Sequence, residues 1–183
     1  MDWINGWMPT WQFAEVHHIR SQASPAALLD AAAAYDPAGD ALITGALALR
    51  ESPARLAAAL GFSSALAQRP QFSKADFLPL GRLGDQALAY GLVGRFWEPG
   101  YGLVPLADAE AFRSFSTPGV AKLLLAFEVR PDGDATRITT LSRLVCADAA
   151  TRRRVSIYWA LVRPVSGLIR QRLLAQIKRL AEG

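Results

Sequence analysis

An α+β fold, an antiparallel sheet laid against one long C-terminal helix, is predicted by three features of this 183-residue chain. Two long stretches, 120–130 and 136–146, alternate apolar and polar residues and are joined by Pro131-Asp132-Gly133-Asp134, a strong turn sequence. From Asp148 onward, apolar residues recur at steps of three and four, the period of a helix face. The composition, 51% apolar and 20% charged, suffices for one domain with a full core across residues 1–183.

The elements follow in order. Trp3, Trp7 and Trp11 are spaced by four, but Pro9 argues against one helix aligning them, so residues 1–10 read as an N-terminal lid segment packed on the body. Residues 11–21, rich in Trp, Phe, Val and Ile, predict a first strand. Ser24-Pro25 starts a helix running to about residue 34: serine caps, and proline gives up an N–H that would be unpaired anyway. Asp40 and Ser52-Pro53 start two further helices, and aperiodic residues 62–74 predict a loop, so that 36–75 reads as a helical insertion with a mobile loop. Strands are expected at 76–80 and 86–97, with a short one at 103–104. Asp108 then caps a short helix reaching Phe115, and the hairpin of 120–130 and 136–146 follows.

Period-two alternation sorts the hairpin into two faces. Ala121, Leu123, Leu125, Phe127 and Val129 share one face of the first strand; Ile138, Thr140, Ser142, Leu144 and Cys146 share one face of the second. That face is apolar with a few hydroxyls, as a binding concavity or a wet core would be, and the opposite face is expected to be solvated. In the last helix, Val155, Tyr158, Trp159, Val162, Ile169, Leu173, Ile177 and Leu180 form the stripe that covers the sheet, and Pro164 is expected to kink or split the helix near Ser166-Gly167.

Composition excludes several classes of function. Cys146 is the only cysteine, so neither an internal disulfide nor a cysteine-cluster metal site is available, and a lone thiol suits a cytoplasmic setting. Asp2 stands where a secretory signal carries a cation, and the longest uncharged apolar run, 41–49, falls far short of the roughly 20 residues of a membrane span. Charge is uneven: from Asp148 on, eight basic residues face two acidic ones, so the whole net charge of +4 resides in the tail.

The order strand, helices, antiparallel strands, long final helix is that of the helix-grip fold. The runs Gly91-Leu92-Val93-Gly94-Arg95-Phe96-Trp97, Gly119-Val120-Ala121-Lys122, Ser142-Arg143-Leu144, Cys146-Ala147-Asp148, Tyr158-Trp159 and Ser166-Gly167-Leu168-Ile169-Arg170 resemble signature segments of an uncharacterised bacterial branch of the START-like (SRPBCC) superfamily. His17 falls where that branch tends to place a histidine in its first strand. The resemblance implies a domain that encloses a hydrophobic small molecule such as a lipid, sterol or polyketide, and it implies no reaction.

Candidate chemistry is sparse. His17 and His18 are adjacent on a strand and point to opposite faces, so they cannot chelate one ion together; no metal and no cofactor is expected. One inward histidine can still act as a general base. Gly91 to Gly94 lies inside a strand, without the strand-to-helix context of a dinucleotide loop. Arg95 would pair a ligand carboxylate if it turned inward, or Glu98 or Asp85 if it turned outward. Cys146 reads as an inert core thiol, and Arg152-Arg153-Arg154 occupy a helix start where the dipole disfavours cations.

The expected cavity wall is therefore Leu123, Leu125, Phe127 and Leu144 from the hairpin with Tyr158 and Trp159 from the helix. Thr140, Ser142, His17 and Arg95 supply polarity. Binding or transport of a hydrophobic small molecule by a monomer or homodimer, with a seven-stranded type of sheet, is the leading expectation. A cyclase or dehydratase using His17 or Arg95 is the alternative; a surface adaptor using the basic last helix, on membrane or nucleic acid, is a second. Nucleic acid is not the expected partner.

Overall fold

Three start signals of the sequence, Ser24, Asp108 and Asp148, cap helices of the molecule, a computed structural model that describes residues 2–37, 40, 74–98 and 100–183. Helix α1 (Asp2–Trp7) precedes strand β1 (Phe13–Ser21), and helix α2 (Pro25–Ala34) begins where the Ser24 hydroxyl accepts the Ala27 N–H at 3.3 Å. After a 3₁₀ turn (Lys74–Asp76) come β2 (Leu78–Leu83) and β3 (Ala87–Gly94). Helix α3 (Ala109–Ser114) is capped by Asp108, which accepts from Ala111 N–H at 2.8 Å. The hairpin β4 (Ala121–Asp132) and β5 (Ala135–Cys146) leads into α4 (Ala149–Glu182). The helices expected between 40 and 61, and the loop after them, lie outside the described residues.

The described strands form one antiparallel sheet in the order β1-β5-β4-β3-β2, five strands rather than a seven-stranded type. Asp132 pairs with Ala135, so only Gly133 and Asp134 make the β4–β5 turn. Gly133 has φ 68°, the conformation that the first central position of a tight two-residue hairpin turn demands. Strand β3 ends at Gly94, three residues before the expected end, because the chain turns on itself there: Arg95 N–H donates to Tyr101 O at 2.7 Å. The segment 103–104 is no strand, although Val104 N–H reaches Val93 O at 2.9 Å.

Helix α4 lies on one face of this sheet, the arrangement expected of a helix-grip domain. Leu173, Leu174 and Ile177 pack with Leu88, Tyr90, Phe127, Val129 and Ile138, while Val155 packs with Leu92, Ala121, Leu144 and Cys146. The helix runs unbroken through Pro164 rather than splitting. Leu180, assigned to its buried stripe, is exposed, and Leu174 is buried instead. The N-cap Asp148 accepts from Thr151 N–H, Thr151 hydroxyl and Gly119 N–H, bonds that hold its carboxyl down at about 2.

The opposite face, expected to be solvated, is a second core. Ile4, Trp7 and Met8 from the N-terminal segment and Phe112 of α3 cover Ala89, Val93, Leu124, Ala126 and Leu141. The polar residues of this face are used for attachment. Arg143 donates to Asn5 Oδ1 at 2.8 Å and Met8 O at 3.2 Å, and its guanidinium stacks 3.7 Å from the Trp11 ring. Lys122 donates to the carbonyls of Phe112, Arg113 and Phe115, closing the end of α3; burial lowers its pKa. Pro9 does not prevent Trp3 and Trp7 from aligning, because α1 stops at Trp7; their rings meet edge-on at 5.9 Å.

Candidate functional site

Glu15 and His17 are two residues apart on β1, so both side chains stand on the face that α4 covers. Strand β1 is an edge of the sheet, and its register with β5 sets Glu15 beside Ser142 and His17 beside Thr140. Across β4, the same rows continue through Leu125 and Phe127. Two polar rows thus cross an otherwise apolar wall.

The Glu15 carboxylate is buried, its residue 9% exposed, and both oxygens are engaged. One oxygen accepts from His17 Nε2 at 2.7 Å, the other from the Ser166 hydroxyl of α4 at 2.8 Å. Gly167 permits this approach: a Cβ there would stand 3.3 Å from Glu15 Oε1 and 3.6 Å from His17 Cε1. A neutral imidazole that donates through Nε2 has Nδ1 as its hydrogen-bond acceptor. A groove of about 430 Å³ opens between β1 and α4, lined by Glu15, His17, Arg163, Pro164, Gly167 and Leu168 among others.

Thr140 and Ser142 are 1% and 3% exposed, and neither hydroxyl has a hydrogen-bond partner among the described residues. A buried hydroxyl left unpaired costs about 1–3 kcal/mol. Around them, Leu123, Leu125, Phe127 and Leu144 face α4, and Tyr158 and Trp159 pack from the helix near Phe13 and Leu144. Nine of the ten residues expected to line a site therefore meet on one face.

Arg95 does not join them. It is half exposed, 3.7 Å from Glu98 and bonded through Nε to Gly119 O at 3.3 Å, because the chain has already left the sheet at Gly94. Sequence reasoning misses Glu15 and Ser166, since a charged residue in a strand reads as solvent-facing; the spacing of two from His17 is the available signal. His18 is exposed on the other face. Among the described residues, no group of three His, Cys, Asp or Glu side chains is placed to hold a metal ion, and no helix is long and apolar enough to cross a membrane.

Burial, aided by Asp148, pushes the Cys146 thiol up to about 11. We expect a thiol reagent at pH 8 to label the native protein far more slowly than the unfolded chain. Rapid native labelling would contradict the burial of Cys146.

Neither a protein-family model nor a curated protein sequence matches the chain. Among solved structures, it is similar to that of TTHA0849 from Thermus thermophilus, at 11% identity over 92% of this chain and 97% of that one, with a TM-score of 0.31.

Proposed function

We propose that this protein binds a small, largely apolar molecule with one polar end, held between the sheet and α4. The polar end would meet Glu15, His17 and the hydroxyls of Thr140 and Ser142. The observation that supports this most is the pair of buried, unpaired hydroxyls in an apolar wall beside an ordered Glu15–His17–Ser166 cluster. Native interiors leave few such groups unpaired, and each calls for a partner; Trp7 Nε1 and Arg143 Nε are unpaired likewise in the second core, but only Thr140 and Ser142 stand in the wall that faces α4. A polar ligand atom offsets their cost, and the surrounding Leu, Phe and Trp surface supplies affinity. Lipid, sterol and polyketide-like molecules have this form, and they are what the START-like resemblance implies.

Native mass spectrometry with solvent extraction of the full chain, together with displacement of a fluorescent fatty acid, tests this reading. An apolar molecule should be retained, and Ser142→Ala or Thr140→Val should change its affinity by roughly 5–10-fold, the worth of about one hydrogen bond. Absence of any retained molecule and of any probe binding would overturn the proposal.

His17 favours a second reading, proton transfer on the same ligand. A histidine oriented by a carboxylate is the arrangement of a general base. That reading requires the extracted molecule to be converted by the intact protein, and His17→Ala to stop conversion while binding persists.

A further inference from the structure

The outer side of α4 combines apolar side chains with positive charge. Ile157, Leu161 and Leu168 are 64%, 74% and 65% exposed, and their spacing of four and seven sets them on one stripe, opposite the stripe that packs on the sheet. Arg153 and Arg154 are exposed on either side of them, and Arg163, two residues past Leu161, is exposed on the flank of the helix toward β1. Among the described residues, ion pairs on this helix join Arg172 to Asp40 and Lys178 to Glu182, away from those three arginines. Between Ala149 and Ala181 the helix contains no acidic residue.

We propose that this face docks on an anionic lipid bilayer, the helix lying in the plane of the headgroups with Ile157, Leu161 and Leu168 inserted and the arginines among the lipid phosphates. Charge complementarity selects the occupant. A uniformly basic face repels a second copy of itself, and a nucleic acid backbone offers no apolar layer for three aliphatic side chains. The helix is not apolar enough to cross a bilayer, which agrees with binding at its surface. Leu168 and Arg163 also line the groove beside Glu15 and His17, so the docked protein would present that groove to the membrane. Docking rests on the outer face of α4 alone and stands whether or not the ligand reading holds.

Co-flotation of the full chain with vesicles tests it, comparing phosphatidylcholine alone with an equimolar mixture of phosphatidylcholine and phosphatidylserine. Binding should require the serine lipid and weaken with salt, as screening shortens the range of charge. The triple variant R153Q/R154Q/R163Q should lose roughly 100-fold in partitioning, at about five-fold per arginine. The variant I157S/L161S, which leaves the groove untouched, should lose at least about 10-fold. All five positions are exposed, so unchanged melting temperatures will show that the variants are folded. No flotation of the intact protein at low salt would overturn the proposal, as would binding unaffected by I157S/L161S. Preferential binding to duplex DNA would instead assign the face to nucleic acid, and a dimer lost in I157S/L161S would assign it to self-association; either result would also overturn it.

Discussion

Phe112→Ala lowers the unfolding free energy by about 3–5 kcal/mol, the cost of removing a fully buried aromatic ring. Gly91→Ala lowers it by about 1–3 kcal/mol through the opposite fault, overpacking. The two effects concern one contact. Gly91 faces α3, and a Cβ placed on it would lie 2.5 Å from Phe112 Cδ2, well inside contact distance. In the double variant the added methyl occupies part of the space that the ring vacates, so the two costs do not add. Chemical denaturation of the four proteins should give a favourable coupling of about 1 kcal/mol or more. Simple additivity would mean that α3 already yields to the methyl and that Gly91 is not what seats it.

Glu15→Ala carries the second large effect. It leaves two half-buried donors, His17 Nε2–H and the Ser166 hydroxyl, without their acceptor, at about 1–3 kcal/mol. Glu15→Gln keeps the shape and one acceptor, and costs about 1 kcal/mol. Both remove the group that fixes the imidazole tautomer. Nitrogen-15 spectra of the histidines should show His17 as a single Nε2–H form in the parent and as a mixture in either variant. A parent ring that already populates both forms would show that Glu15 does not orient it, and the proton-transfer reading would lose its basis.

What the residues reveal by themselves is local. Ser24-Pro25, Asp108 and Asp148 start helices because a side-chain oxygen meets an N–H three residues away, a contact complete within one turn. The β4–β5 turn and the faces of both strands follow from glycine geometry and a period of two, and that period, with the helical one, locates most of the candidate lining residues. Apart from Pro164 and the strand ends near 94–104, the misreadings concern what packs against what. Nothing near Leu124 or Ala126 says that α1 and α3 will cover them, so in the sequence their face looks solvated. Lys122 and Arg143 look like solvent markers, yet both are anchors for those covering segments. Glu15 escapes notice because its partner Ser166 lies far along the chain, and the placement of Arg95 depends on where β3 turns away. Leu174 joins the core because Val129 and Ile138 share a cluster with it, whereas Leu180, three residues past Ile177 on the same side of the helix, is exposed.

The position of β1 also governs the order of assembly. Among the described strands it pairs only with β5, far later in the chain: Phe13 meets Leu144 and Ser21 meets Thr136. The β4–β5 hairpin can close early across two residues, whereas β1 must wait for a loop of most of the chain to close. During synthesis, β1 thus leaves the ribosome long before the strand it pairs with. Glu15 and His17 arrive at Ser142 and Thr140 only at that late step, and Ser166 follows on α4. The polar cluster is a product of completed folding, and a chain caught before that point has a formed hairpin, an unpaired β5 edge and no site.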